Sequence, residues 1–284
     1  MSIYLSAIVD AFSREPFCGN PAGVVYLGGD PFPADEICIK LAAELRFSET
    51  AFIRRLSQTE YAARFFTPVC EAALCGHATV ASFSFLRAKR IVGIGDIAVH
   101  TASGDITVTV DKDEVTLDMA EAKIVSALEK RDRDELYRAF GLPGRESVNG
   151  LAPAIVSVGL ADVMLPVASI EELDGACRDE AAVSAISERL GVTGVHMFCL
   201  TRDGFVAHCR NFAPLYGIPE ECATGTSNGA LFRYLAEYGL APSPARFLQG
   251  EKMGRPSVIT ARIENGRVRV GGPAAVVMEG TVRI

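Results

Sequence analysis

The sequence repeats a short pattern about half a chain apart. Residues 52–68 and 198–214 share a phenylalanine, an arginine, a second phenylalanine and a proline at the same four of seventeen positions. Within eight residues each segment leads to a cysteine before a Gly-rich stretch, Cys75 in the first copy and Cys222 in the second. A fixed offset between similar structural signals is typical of an internal repeat. The pattern therefore predicts two related lobes, each with one reactive residue.

The length of the chain agrees with two lobes. A chain of 284 residues is too long for one typical core and fits two domains of about 140 residues. Charge rises in residues 129–136, and the connection between the halves is placed near residue 121. The expected division is a lobe of residues 1–120 and a lobe of residues 121–284, whose last strand can cross back to the first lobe.

Composition restricts the partners and the compartment. A net charge of -7 without a Lys/Arg cluster argues against a nucleic acid or an anionic membrane surface and favours small-molecule chemistry. The start lacks a basic segment, and no stretch reaches the roughly 18 apolar residues of a membrane helix. Eight cysteines without a secretion signal predict reduced thiols in a cytoplasmic protein. Because no Cys/His cluster has zinc spacing, no metal is expected.

Hydrophobic periodicity predicts an α+β fold. Helical patterns lie at residues 33–45, 76–90, 179–190 and 226–237, between short stretches of strand-like alternation. The second and fourth helices begin with small residues and carry few charges, which is typical of helices buried on most sides. Each half is therefore expected to be a sheet around a central helix.

Cys75 and Cys222 each precede one of these buried helices. Unpaired N–H groups and the helix dipole at such a position are expected to lower the pKa of a thiol and to bind a carboxylate. Thiols acting from opposite sides of a carbon would invert its configuration, one removing a proton and the other returning one. Free cysteines also pack as small hydrophobes, and this is the interpretation for Cys38, Cys177, Cys199 and Cys209.

Four further side chains have both a functional and a structural interpretation. Glu49 precedes an apolar strand, where partial desolvation can make a carboxyl a general acid or base, or where turn chemistry alone explains it. His77 is a proton shuttle or a capping group. Glu221 forms a like-charge pair with Glu220, in which the pKa of one carboxyl can rise, whereas exposure at the surface would make the pair inert. Asn20 is a turn former or a ligand contact.

Several sequence blocks in order resemble the PhzF-like family of phenazine biosynthesis, which is similar in fold to diaminopimelate epimerase. The blocks are FCGNPAGVV at 17–25, LRFSETAF at 45–52, LCGHAT at 74–79, ECATGT at 221–226 and QGEKMGRPS at 249–257. The resemblance implies two pseudo-symmetric lobes, each a mixed curled sheet around a central helix, with the active site in the cleft between them. It also implies isomerisation without a cofactor, and a homodimer.

The resemblance assigns roles to individual residues. Glu49 matches the acid/base glutamate of the family and His77 its active-site histidine, while Glu221 stands where the family usually has aspartate. Cys222 replaces the usual proline and, with Cys75, matches the catalytic thiol pair of an epimerase. The remaining residues expected to bind substrate are Asn20, Gly76, Thr224, Gly225 and Thr226.

These observations predict a cofactor-independent isomerase of a small amino or hydroxy acid. In the favoured version Cys75 and Cys222 are the two bases of a racemase or epimerase. In the alternative, Glu49 alone moves a proton between two carbons and the two thiols take no part in the reaction. A third interpretation is a ligand-binding or redox-sensing protein without catalytic activity.

Overall fold

A computed structural model describes residues 2–284 and confirms the predicted α+β class. The chain divides into two compact units, one formed by Met1–Asp118 with Gly271–Ile284 and the other by Met119–Val270. No helix within residues 2–284 has both the length and the apolar character needed to cross a membrane. The eight cysteines are free thiols, and Cys177 is exposed rather than packed as expected, because it follows the short helix that ends at Gly175 on the surface.

The first unit contains nine strands and two helices, numbered along the chain. The strands are β1 (Ile3–Ala11), β2 (Asn20–Tyr26), β3 (Thr50–Arg55), β4 (Glu60–Phe66), β5 (Glu71–Ala72), β6 (Gly95–Thr101), β7 (Gly104–Val110), β8 (Val115–Asp118) and β18 (Ala274–Arg283). The helices are α1 (Asp35–Leu45) and α2 (Gly76–Ala88). Strand order is β18-β1-β2-β3-β4-β6-β7-β8, with parallel pairs at β2–β3 and β4–β6. The two-residue strand β5 pairs with β4 and leads to α2.

The second unit has the same plan. Its strands are β9 (Lys123–Ala127), β10 (Ala154–Ser157), β11 (Ala161–Pro166), β12 (Gly194–Leu200), β13 (Ala207–Ala213), β14 (Ile218–Glu221), β15 (Ala245–Gln249), β16 (Ser257–Glu264) and β17 (Arg267–Gly272). Its helices are α3 (Lys130–Ala139), α4 (Ile170–Gly175), α5 (Glu180–Leu190) and α6 (Gly225–Glu237). Strand order is β9-β10-β11-β12-β13-β15-β16, with parallel pairs at β11–β12 and β13–β15. The units thus share their sequence of parallel and antiparallel pairs.

A buried helix of thirteen residues lies at the centre of each unit, α2 in the first and α6 in the second. Small side chains make this enclosure possible because they let strands approach the helix closely. Ala78, Ala81 and Ser82 are fully buried on α2. On α6, a Cβ added at Gly229 would lie 2.8 Å from a methyl group of Val270. The small-residue helices predicted from the sequence are therefore confirmed as central helices.

The repeated arginine and phenylalanine make the same contacts in both units. Arg64 donates two hydrogen bonds to Glu71 at 2.8 and 2.6 Å, and its guanidinium carbon lies 4.9 Å from the centre of the Phe66 ring. Arg210 donates two bonds to Glu220 at 2.8 and 2.9 Å and lies 5.0 Å from the centre of the Phe212 ring. Residues two apart on a strand share a face, which explains the spacing of the motif.

These arginine–glutamate salt bridges fix the chain just before each cysteine. Each salt bridge joins a long strand to the short strand that leads to Cys75 or to Cys222. The bridge in the second unit is the more buried, with side-chain exposures of 8 and 10%, against 25 and 28% in the first. Arg210 also donates to the carbonyl oxygens of Leu173 and Ala176 at 2.8 and 3.0 Å. The Arg210 bridge is therefore expected to matter more for stability.

We expect Arg210→Met to lower the free energy of unfolding by about 3 kcal/mol, because Glu220 loses its bidentate partner while buried. Arg64→Met should cost about 1 kcal/mol, since its more exposed bridge is screened by water. Urea denaturation followed by circular dichroism measures both values. In the double variant Arg210→Met/Glu220→Gln, part of the loss should be recovered. Equal losses of unfolding free energy in Arg210→Met and Arg64→Met would contradict the larger contribution assigned to the Arg210 salt bridge.

Candidate functional site

Cys75 occupies the N-cap position of α2. Its backbone is extended, with φ -137° and ψ 113°, and its carbonyl oxygen accepts bonds from the N–H and the hydroxyl of Thr79 at 3.0 and 2.7 Å. The side chain makes no capping hydrogen bond and is 7% exposed. The thiol thus lies at the positive end of a helix dipole, as the sequence predicted.

Glu49 and His77 meet beside this thiol. Glu49 directly precedes β3, and His77 is the second residue of α2. The Cys75 Sγ atom lies 3.3 Å from His77 Nδ1 and 3.8 Å from Nε2. His77 Nε2 also contacts two other side chains. It lies 3.4 Å from Glu49 Oε2 and 3.4 Å from Ser48 Oγ. A thiol, an imidazole and a carboxylate therefore form one contiguous group.

Electrostatics favour a neutral imidazole in this group. Burial lowers the pKa of His77, and the charge of Glu49 opposes that shift only in part. Glu49 Oε2 is buried and makes no hydrogen bond in the described structure, although it lies near His77. Burying a carboxylate oxygen without a hydrogen-bond partner costs free energy. Such an oxygen is well placed to accept a proton, or a hydrogen bond from a hydroxyl group.

Gly76 follows Cys75 at the first position of α2. A Cβ added there would meet no atom within 4 Å, so space lies open beside the first N–H groups of the helix. Asn20, the first residue of β2, is 4% exposed and pairs with Ala11 across the sheet. Of the residues predicted in the first half, the structure brings Glu49, Cys75 and His77 into direct contact.

Cys222 is placed differently from Cys75. It follows β14 and lies two residues before Thr224, the N-cap of α6, so it is not itself a capping residue. Burial and the charge of Glu221 raise the pKa of its thiol to about 11, while Arg255 lowers it in part. The expected lowering of the pKa of Cys222 is therefore wrong. Its thiol is buried next to the carboxylate of Glu221, and the chain position is two residues before the N-cap of α6.

Gln249 shapes the loop that carries Cys222. This fully buried side chain donates to the carbonyl of Glu221 at 2.8 Å and accepts from the N–H of Thr224 at 3.2 Å. The same oxygen accepts from Asn228 at 2.7 Å. Because one amide satisfies groups on both sides of Cys222, Gln249 is a positioning residue for this loop.

Gly250 and Arg255, from the same sequence block as Gln249, also lie near Cys222. Gly250 has φ +87°, and a Cβ there would meet the carbonyl oxygens of Cys222 and Arg255. Sequence reasoning assigned no role to Gln249 or Arg255. Their presence in the block at 249–257 was the available signal, but only the folded chain shows that this block reaches Cys222.

The other predicted residues of the second half lie around the same loop. Glu221 Oε2 accepts a hydrogen bond from the hydroxyl of Thr224 at 3.0 Å. Gly225 and Thr226 are the first two residues of α6. Glu220 binds Arg210, so the two neighbouring glutamates have different partners.

One group within residues 2–284 combines three side chains able to hold a metal ion. The donor atoms of Glu49, Cys75 and His77 all lie within 4.8 Å of one another. The expectation of no metal site rested on local spacing, and Glu49 is 26 residues from Cys75 in the sequence. Folding of β3 against the start of α2 brings this third donor into place.

Comparisons with known proteins agree with this fold. A family model described as "Phenazine biosynthesis-like protein" matches residues 9–280. An uncharacterized isomerase of Escherichia coli K12, YddE, is 31% identical, with 97% of this chain and 94% of the relative covered. An uncharacterized isomerase of Deinococcus radiodurans is 36% identical, with 96 and 93% covered.

Solved structures show the same fold. A PhzF-family phenazine biosynthesis protein of Bacillus anthracis has a TM-score of 0.85 at 23% identity, with both chains fully covered. A hydroxyproline epimerase of Agrobacterium vitis has a TM-score of 0.60 at 16% identity, covering 99% of this chain and 92% of the other. The predicted diaminopimelate epimerase-like fold is confirmed.

We expect alkylation of Cys222 by iodoacetamide to accelerate with pH until about 11, because only the thiolate reacts and its pKa is raised. Near pH 8 about one thiol in a thousand would be ionised. Peptide mass spectrometry measures the labelling rate of each cysteine. Glu221→Gln should shift the profile to lower pH and Arg255→Met to higher pH. The same pH dependence of Cys222 alkylation in native protein and in urea would contradict a pKa raised by the fold.

Proposed function

The chain belongs to the phenazine biosynthesis-like protein family, and from this membership we propose that it is a cofactor-independent isomerase of a small carboxylate. The relatives from Escherichia coli and Deinococcus radiodurans bear the name isomerase, which supports the reaction class. We further propose that the substrate is an amino or hydroxy acid and that the reaction is racemisation or epimerisation. Cys75 and Cys222 are the proposed proton carriers.

The observation that carries this proposal is the contact of Cys75 with His77 and of His77 with Glu49. A neutral imidazole 3.3 Å from a thiol can accept its proton and leave a thiolate, the form that acts as a base. The nearby carboxylate of Glu49 stabilises the imidazolium that forms. The three side chains therefore supply an activated base.

The substrate carboxylate is proposed to bind at helix N-termini. Space lies open at Gly76 beside the first N–H groups of α2, and α6 begins with Gly225 and Thr226 after its N-cap Thr224, whose hydroxyl is the group proposed to contact the substrate. Unpaired N–H groups and the positive end of the dipole favour an anion at both positions. A carboxylate held in this way also acidifies the neighbouring C–H, because negative charge developing there is stabilised.

The proposed proton transfers balance over one turnover. The Cys75 thiolate takes the proton from the substrate carbon and becomes a thiol, and the Cys222 thiol gives its proton to the opposite face and becomes a thiolate. The raised pKa of Cys222 suits the role of proton donor at rest. Exchange of protons with water, or turnover of the opposite stereoisomer, restores the starting state.

A second candidate uses Glu49 as the single acid and base, moving a proton between two carbons of one substrate. The buried Oε2 atom without a hydrogen-bond partner favours it, as does a Cys222 thiol that holds its proton tightly. In this version both thiols are spectators. The two candidates differ in the residue that must carry the proton and can be separated by substitution.

The first test is incubation of pooled amino and hydroxy acids with the protein in heavy water, followed by mass spectrometry and chiral chromatography. A compound that gains deuterium at carbon identifies the substrate. With that substrate, Cys75→Ser and Cys222→Ser should each slow inversion by more than about a hundredfold, because a proton carrier is lost. Each variant should still exchange the stereoisomer that faces its remaining thiol.

Controls distinguish the two candidates. Cys70→Ser removes an exposed thiol outside the group and should leave turnover unchanged. Full activity in Cys222→Ser together with complete loss in Glu49→Gln would transfer the assignment to the Glu49 candidate. Deuterium uptake without inversion in the wild-type protein would also count against the racemase.

Gly76→Ala tests the proposed carboxylate site. We expect at least a tenfold rise in KM, because the added methyl group enters the space assigned to the substrate. The thermal midpoint should stay the same or rise, since alanine favours a helix and meets no protein atom. Gly93→Ala, which also meets no atom within 4 Å, is the matched control. An unchanged KM would remove Gly76 from the site.

A further inference from the structure

We propose that Glu49, Cys75 and His77 form a chelating site for Zn²⁺ that competes with proton transfer. The separations between their donor atoms suit one small ion. His77 Nε2 lies 3.8 Å from Cys75 Sγ and 3.4 Å from Glu49 Oε2. Tetrahedral zinc, with bonds of about 2.0 to 2.3 Å, places such ligand atoms about 3.3 to 3.6 Å apart. All three donor atoms lie within 4.8 Å of one another, so shifts of at most about 1 Å would seat the ion.

The chemistry of the donors agrees with this geometry. Thiolate sulfur, imidazole nitrogen and carboxylate oxygen are the three ligand types that zinc uses in proteins, and three protein ligands leave a fourth position open. Glu49 Oε2 is buried without a hydrogen-bond partner, so a cation would satisfy an atom that the fold leaves unsatisfied. The oxygen therefore gives independent support for a ligand at this position.

Two other histidines in the chain contact carboxylates but are poorly suited to chelation. His100 contacts Asp105 through Nδ1 and Glu60 through Nε2, at 2.7 and 2.8 Å. His208 contacts Asp203 through Nε2 at 2.9 Å and Glu251 through Nδ1 at 2.7 Å. In both cases the two carboxylates lie on opposite ring nitrogens, so one ion on the ring reaches only one of them. At His77, by contrast, the single nitrogen Nε2 has both Cys75 Sγ and Glu49 Oε2 within 3.8 Å.

Binding converts the Cys75 thiol into a zinc thiolate and releases one proton to the buffer. The sulfur lone pair and the Glu49 oxygen are then bound to the metal and can no longer take a proton from substrate. Zinc at this site is consequently an inhibitor, and this effect on turnover rests on the proposed function. Binding itself does not depend on it.

Cobalt titration of the reduced, full-length protein tests the site without any substrate. Co²⁺ replaces Zn²⁺ in such sites and produces a near-ultraviolet absorption when a thiolate binds it. We expect this absorption to saturate at one ion per chain and to be lost on addition of Zn²⁺. Cys75→Ser should abolish the absorption, while His77→Ala and Glu49→Gln should each weaken cobalt binding at least tenfold.

Matched variants make the result specific. Cys222→Ser, Cys70→Ser and His100→Ala should bind cobalt as the wild type does, and circular dichroism checks that Cys75→Ser remains folded. Absorption that persists in folded Cys75→Ser, or no saturable absorption at millimolar cobalt, would overturn the site. Saturable binding by a protein that exchanges no substrate proton would support the site while contradicting the proposed function.

Discussion

Burying a whole helix inside a sheet is the constraint on which the rest of this structure depends. Strands can surround α2 and α6 only because small side chains such as Ala78 and Gly229 let them approach. An enclosed helix also needs partners for the free N–H groups of its first turn. A ligand anion can supply them. The first turns of these two helices are where the proposed function places the substrate carboxylate.

The repeated arginine stabilises the approach to that position. In each unit it lies over a phenylalanine two residues along its own strand and binds a glutamate on the short strand that follows. The arginine, the phenylalanine and the glutamate thus form one local arrangement in each unit, which fixes the chain shortly before Cys75 and before Cys222. The role of this arrangement is structural, because Arg64 binds the carboxylate of Glu71 and Arg210 binds that of Glu220.

Sequence periodicity predicted the α+β class and the two buried helices, because small-residue spacing and alternation are local signals. The pairing of Cys75 with His77 was also readable, since the residues lie two apart at one helix start. Glu49 joins them through tertiary folding, which spacing does not encode. The pKa of Cys222 was mispredicted for a similar reason: its distance from the N-cap and its burial beside Glu221 outweigh the helix dipole.

The two copies of the repeat have diverged in their chemistry. The position two residues after the cysteine is His77 in the first copy and Thr224 in the second, and the position three before the shared phenylalanine is Glu49 in the first and Val195 in the second. Only the first copy therefore places an imidazole beside its thiol. The second holds its thiol protonated beside Glu221. This difference corresponds to the unequal roles that the proposed racemisation gives to the two thiols, and it confines the proposed zinc site to the first copy.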